Sequence, residues 1–176
     1  MRRSNDFYET NKLAVTELLK YLPLKLGNVL EPTAGRNAIT LPLIASSRCT
    51  SVRTNDISHS YNHPCHLDMT QDLSWETIYK IYCPFDWIIT NPPFSVAYNI
   101  LTRAVDLAQQ GVAFLLRLSF LEPTIEREEF LCEHPPSQLI ILPRYSFTGD
   151  GKTDSVTCAW MIWEKNQTGS IRVSHR

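Results

Sequence analysis

The sequence predicts an α/β protein built on a mostly parallel sheet with helices on both faces. Three observations carry that prediction. Apolar runs of strand length alternate with amphipathic stretches of helix length along the chain. The apolar runs are nearly continuous, as in "DWIIT" (86–90) and "VAFLLRLSF" (112–120), which suits strands covered on both faces. No repeat or linker-like segment interrupts the alternation. The 176 residues therefore read as one domain, 1–176, with 1–5 and 165–176 as loose ends.

Asn11 caps a helix over "NKLAVTELLKYL" (11–22), whose apolar face is Leu13, Ala14, Leu18 and Leu22. "GNVLE" (27–31) is a short buried strand, and "PTAGRN" (32–37) is the turn after it. "AITLPLIASS" (38–47) is a helix disturbed at Pro42. "SVRTND" (51–56) is a strand ending on an acid, "CHLDM" (65–69) a short strand, and "LSWETIYKIY" (73–82) a helix. "DWIIT" leads to a helix over 96–111 that Gly111 closes as its C′ residue. After "VAFLLRLSF", Pro123 opens a helix over 123–134. "QLIIL" (138–142) and "VTCAWMIW" (156–163) are the remaining strands, joined by a glycine-rich loop, "SFTGDGKTDS" (146–155). Trp160 and Trp163 belong to the core and the sheet face.

Composition excludes several function classes. A net charge of −1 and a pI near 6.5 do not fit a protein that coats nucleic acid, so any such contact must come from a local patch. Arg117, Arg127, Arg144 and Lys152 are the candidates for that patch. No apolar run approaches ~18 residues, so no membrane span is expected. "MRRSNDFYET" has no apolar stretch behind its arginines and does not read as a signal peptide. Five widely spaced cysteines, an odd number without a C-x-x-C pair, read as the reduced thiols of a cytoplasmic protein. His59, His63, Cys65 and His66 match no standard closed zinc spacing, so no metal is expected.

In sheets of this kind, ligands bind beyond the C-terminal ends of the strands. The first strand ends in Glu31-Pro32-Thr33-Ala34-Gly35-Arg36-Asn37. Gly35 lets the backbone approach a ligand, and Asn37 stands where a second glycine would be usual. Asn tolerates left-handed φ/ψ better than most residues, so the turn can survive. Asp56 follows roughly 20 residues on, where an acid accepts from ribose hydroxyls. Asp68 closes the next apolar patch and can accept from an adenine amino group. Together these strand ends suggest an adenosine-containing cofactor. A dinucleotide is excluded, because "GRNAIT" lacks the glycines a pyrophosphate requires. Glu31 suits a ligand with an amine and a positive charge, and S-adenosylmethionine carries an ammonium and a sulfonium.

"TNPPF" (90–94) ends a central strand on two prolines and an aromatic. An exocyclic amine is a poor nucleophile until acceptors draw its nitrogen toward sp³. The Asn91 side chain and the Pro92 carbonyl supply two such acceptors, and Pro92 and Pro93 preorganise them. Phe94 stacks on the planar substrate, and a base in a duplex must be flipped out to reach it.

"EPTAG", "NDIS", "LDMT" and "NPPF", in that order, resemble the motifs of Rossmann-type S-adenosylmethionine-dependent amino-methyltransferases. The nearest likeness is to small phage- and prophage-type N6-adenine DNA methyltransferases. "DFYET" (6–10), "LSFLEP" (118–123), "PRYSFTGDGKTDS" (143–155) and "AWMIW" (159–163) extend it from Asp6 to Trp163. The resemblance implies a seven-stranded Rossmann-like methyltransferase sheet whose last strand is antiparallel. It implies S-adenosylmethionine as cofactor, S-adenosylhomocysteine as product, and DNA as partner, with RNA as the other nucleic acid. Phe7, Tyr8 and Thr10 would border the methionine moiety, and Glu31, Thr33, Gly35 and Asn37 the cofactor amine and backbone. Asp56 and Ile57 would line the ribose side, and Asp68 and Met69 the adenine. Asn91, Pro92, Pro93 and Phe94 would hold the target amine, with Asn91 also beside the cofactor. Apart from the resemblance, the glycine-rich polar composition of 146–155 makes that loop a candidate lid over the target base.

Two positions depart from the family pattern. Asn37 replaces a small residue, and Asn11 stands where proline is common. No segment is left for a separate target-recognition domain, so short loops or a partner would supply sequence choice. Similar turns occur in enzymes that methylate ribosomal RNA guanine or a glutamine side chain. The two departures also admit a third reading, a decayed protein that binds cofactor without catalysis.

Overall fold

A computed structural model describes residues 9–122, 124–144, 156–165, 167 and 170–173. Along them run α1 (Lys12–Tyr21), β1 (Gly27–Glu31), α2 (Thr40–Ala45), β2 (Cys49–Thr54), α3 (Asp72–Tyr82) and β3 (Trp87–Thr90). The second half holds α4 (Ala97–Leu107), β4 (Gly111–Arg117), a 3₁₀ turn (Leu118–Leu121), α5 (Ile125–Glu133), β5 (Gln138–Ile141), β6 (Cys158–Glu164) and β7 (Ser170–Val173). The strands form one sheet in the order β2-β1-β3-β4-β6-β5-β7. The pairings β2–β1–β3–β4 are parallel. β6 runs antiparallel to both its neighbours, as expected for "VTCAWMIW".

Alternation along the central strands divides the core in two. Val112, Phe114 and Leu116 of β4 face α3, α4 and α5, packing with Ile78, Leu101 and Phe130. Ala113 and Leu115 face the other way, toward Ala14, Val15 and Leu18 of α1 and Leu43 of α2. Trp160 is fully buried on that side and donates its indole N–H to the Ala14 carbonyl, 2.8 Å away. Trp163, on the opposite face, is 6% exposed, so both tryptophans are core residues as the sequence suggests.

Several expectations are corrected. Asn11 does cap α1, accepting from the Leu13 amide at 2.9 Å, but Leu13 is 60% exposed and Val15 takes the core position. The helical turn puts Val15 between Ala14 and Leu18 on the sheet side. α2 starts later than expected, at Thr40, which puts Pro42 in the first turn. There the missing N–H has no intrahelical partner to lose. "CHLDM" makes only a single parallel bridge, Cys65 to Asn55, and no strand.

The tail, expected to be loose, instead provides β7, which pairs parallel with β5. α4 ends at Leu107 with Ala108 as its cap, so Gly111 is not a helix C′ residue. Gly111 opens β4, where a Cβ would come within 2.7 Å of the Trp163 carbonyl and 2.9 Å of the Trp87 ring. Pro123 lies outside the described residues, and Thr124 caps α5. Its side chain accepts from the Arg127 amide. The run expected as one strand over 112–120 divides at Arg117 into β4 and the 3₁₀ turn. The expected lid, 146–155, lies outside the described residues.

Candidate active site

The C-terminal ends of β2, β1, β3 and β4 share one edge of the sheet. The chain crosses outward from β1 in both directions, to β2 and to β3, so the gap between β1 and β3 is the switch point. Thr33 and Thr90 bridge that gap with hydroxyls 2.5 Å apart.

The glycine turn is built as the sequence suggests. Gly35 has φ of 49° and Asn37 φ of 63°, so asparagine does take the left-handed conformation. The Gly35 amide donates to Asp56 Oδ2 at 2.8 Å, and Asp56 Oδ1 accepts from the Ser58 amide at 2.9 Å. Asp56 is thereby pinned between the two loops. Asp68 accepts from both the amide and the hydroxyl of Thr70. Thr33, Asp56, Ile57, Asp68, Met69 and Pro93 line one cavity of about 640 Å³. A second cavity, about 20 Å³, is lined by Thr10, Glu31, Thr33, Gly35 and Asn91.

Glu31 is 2% exposed and accepts from the Thr40 hydroxyl. Burial pushes its carboxyl up to about 8, against the lowering effect of the Thr40 hydrogen bonds, and the charge of Asp56 adds to the rise. Its environment favours either the neutral acid or a carboxylate facing a cation.

Asn91 follows β3 directly. Its side-chain amide donates to the Thr10 hydroxyl at 3.0 Å, and its carbonyl accepts from the Thr33 hydroxyl at 3.5 Å. The Pro93 carbonyl accepts from the Val96 amide and starts the turn into α4. Pro92 is buried, and Phe94 is half-buried against both halves of the core. Phe94 also lines a third cavity, about 240 Å³, together with Arg117 and Arg127. The structure thus gathers the described cofactor and target-amine candidates at one sheet edge. Phe7, Tyr8 and Lys152 lie outside the described residues.

Two site residues escape a reading of the sequence. Asn55 is fully buried and its amide donates to the Pro32 and Leu67 carbonyls, each 2.9 Å away. Its side-chain oxygen accepts from the Leu67 amide at 2.8 Å, so one residue joins three cavity walls. His63 Nε2 donates to the Gly35 carbonyl at 2.8 Å, and Nδ1 lies 3.1 Å from the Thr54 hydroxyl. His63 is therefore scaffold for the glycine turn, and His66 donates to the Asp56 carbonyl beside it. The cue for Asn55 is its place beside Asp56 in "NDIS"; the sequence marks His63 only as one of four side chains whose spacing fits no zinc site.

No family model and no curated protein matches the chain. Solved structures do. A candidate class I S-adenosylmethionine-dependent methyltransferase of Listeria monocytogenes superposes with a TM-score of 0.67 at 12% identity, over 98% of this chain and 66% of its own. The 23S rRNA methyltransferase ErmE gives 0.56 at 13% identity, over 92% and 71%. The magnesium protoporphyrin IX methyltransferase of Synechocystis, with bound S-adenosylhomocysteine, gives 0.56 at 12%, over 86% and 81%. At these identities the common property is the fold. It is the Rossmann-like fold of class I methyltransferases.

Proposed function

We propose that this chain is an S-adenosylmethionine-dependent methyltransferase acting on an exocyclic amino nitrogen, adenine N6 in DNA before other targets. One observation carries the reading. Asn91-Pro92-Pro93-Phe94 leaves the end of β3 between the adenosine-sized cavity and the Phe94 cavity, with the Asn91 amide held by Thr10.

The residues suit the cofactor. Asp56 and Asp68 line the large cavity as acceptors for ribose and adenine, and Glu31 lies in the small one, where a cationic amine would be neutralised. When bound, S-adenosylmethionine supplies an electrophilic methyl group on a sulfonium. The chain's own part is to hold and polarise the target amine. Thr10 accepts from Asn91 Nδ2, which directs Oδ1 to accept from the amine. The Pro92 carbonyl is the second acceptor. Both acceptors would stabilise the positive charge that the amine nitrogen gains on methylation. Its proton leaves afterwards to water, so no general base is needed before attack.

RNA is the second reading, favoured by the likeness to a 23S rRNA methyltransferase. Methyl-labelled cofactor offered with DNA, RNA and protein decides among substrates. Label on adenine N6 of DNA is the expected result, and label confined to RNA or protein would overturn it. Cofactor binding without transfer to any of them would support the decayed reading. In the active enzyme, Asn91→Ala is expected to lower kcat by about 10²–10³-fold with little change in cofactor Kd. An equal loss in both would refute the role given to Asn91.

A further inference from the structure

The Phe94 ring face is already covered. The guanidinium carbon of Arg117 lies 4.6 Å from the ring centroid, within cation–π range. Arg117 is the last residue of β4, and Phe94 lies in the turn that leads from the neighbouring strand β3 to α4. The cavity they share, lined also by Ser95, Leu116, Phe120 and Arg127, holds about 240 Å³. That is below the ~300–1,000 Å³ of sites for drug-sized ligands and suits one planar group. Arg127 is a fixed wall of this cavity. It is anchored by the Thr124 hydroxyl at 3.1 Å and the Phe120 carbonyl at 2.9 Å, with the Phe120 ring 5.3 Å away.

We propose that Arg117 is a placeholder on the Phe94 platform, displaced by the target base and re-paired with a phosphate of the same strand. This rests on the reading of the chain as an amino-methyltransferase and narrows its substrate to a planar base carried on a phosphodiester backbone. A base and a guanidinium compete for one aromatic face, and both cannot contact it. Leaving that face costs the guanidinium its ring contact, so the exchange favours substrates that bring an anion for it to meet. A glutamine side chain brings no such anion and offers less stacking area. A free nucleoside stacks but does not re-pair the guanidinium. Arg117 therefore acts as a positioning and specificity residue, not in the transfer itself.

The test is equilibrium binding of two probes to the full chain with S-adenosylhomocysteine present, read by 2-aminopurine fluorescence. One probe is a single-stranded DNA oligonucleotide with 2-aminopurine at the target position, and the other is the free 2-aminopurine nucleoside. Arg117→Ala is expected to bind the nucleoside several-fold more tightly and the oligonucleotide about tenfold more weakly. Its log Kd against log salt slope should fall by about 0.7 for the lost phosphate contact. Arg117→Lys, which keeps the charge without the planar face, should hold the oligonucleotide within about threefold of the parent while still admitting the nucleoside more readily.

Matching thermal melts establish that the variants fold. Parallel loss of both probes, or no change in either, overturns the placeholder while leaving the methyltransferase reading intact if the parent chain still methylates the oligonucleotide. Failure of the parent chain to bind either base probe overturns both.

Discussion

Thr10 reaches Asn91 across 81 positions of sequence, and the hydrogen bond between them is what makes the amide directional. Thr10→Val keeps the shape and removes the acceptor. Turnover is expected to fall by about 10- to 100-fold as the amide loses its orientation, while stability changes by no more than about 1.5 kcal/mol. Thr10→Ser should restore most of the rate, and steady-state kinetics beside a urea melt check both statements. Glu31 gives the second prediction. Its carboxyl titrates at about 8 in the folded chain against 4.5 ordinarily, so between those values the unfolded chain holds fewer protons. Stability from this group is full below 4.5, falls as pH rises toward 8, and then levels. Melts at pH 5 and pH 8 should show this fall in the parent chain and a smaller one in Glu31→Gln. A cationic ligand favours the ionised form, so cofactor binding near pH 7 should release a proton. Calorimetry in buffers of different ionisation enthalpy would detect it, and the glutamine variant should release less.

At the scale of elements, packing decides what pattern alone leaves open. Gly111→Ala should destabilise the chain by roughly 1–3 kcal/mol, because the new methyl meets the Trp163 backbone and the Trp87 ring. A denaturant titration in which the alanine variant matches the parent would refute that. The same glycine shows a limit of sequence reading. A Gly after a helical run reads as a C′ residue, whereas close approach of β6 is a tertiary fact. β1, β3 and α1 were legible because an apolar run or a capping residue is a local signal. "CHLDM" and the tail were misjudged for one reason: whether a short segment becomes a strand depends on a neighbour with a free edge. β5 offers that edge to residues 170–173. The candidate site was legible to the extent that its motifs follow the ends of β1, β2 and β3 in a fixed order, with Asp68 in the loop before α3. Asn55 and His63 were not, because their roles lie in hydrogen bonds to backbone of other loops.

Across the whole molecule, a net charge of −1 leaves little general attraction for a polyanion. If Arg117 and Arg127 supply the phosphate contacts, log affinity against log salt should slope between about −1 and −2. A slope several times steeper would place the nucleic acid on a wider surface. The position of β6 has a different consequence, one of timing during synthesis. This strand lies between β4 and β5, yet it leaves the ribosome after both. Until residues 158–164 emerge, β4 has an unpaired edge, apolar except for Arg117, and the pocket on α1 that receives Trp160 is open. A nascent chain halted at residue 157 would therefore be expected to sediment as aggregate. A chain halted there, already carrying all its strand-end motifs, would depend on residues 158–164 to become soluble.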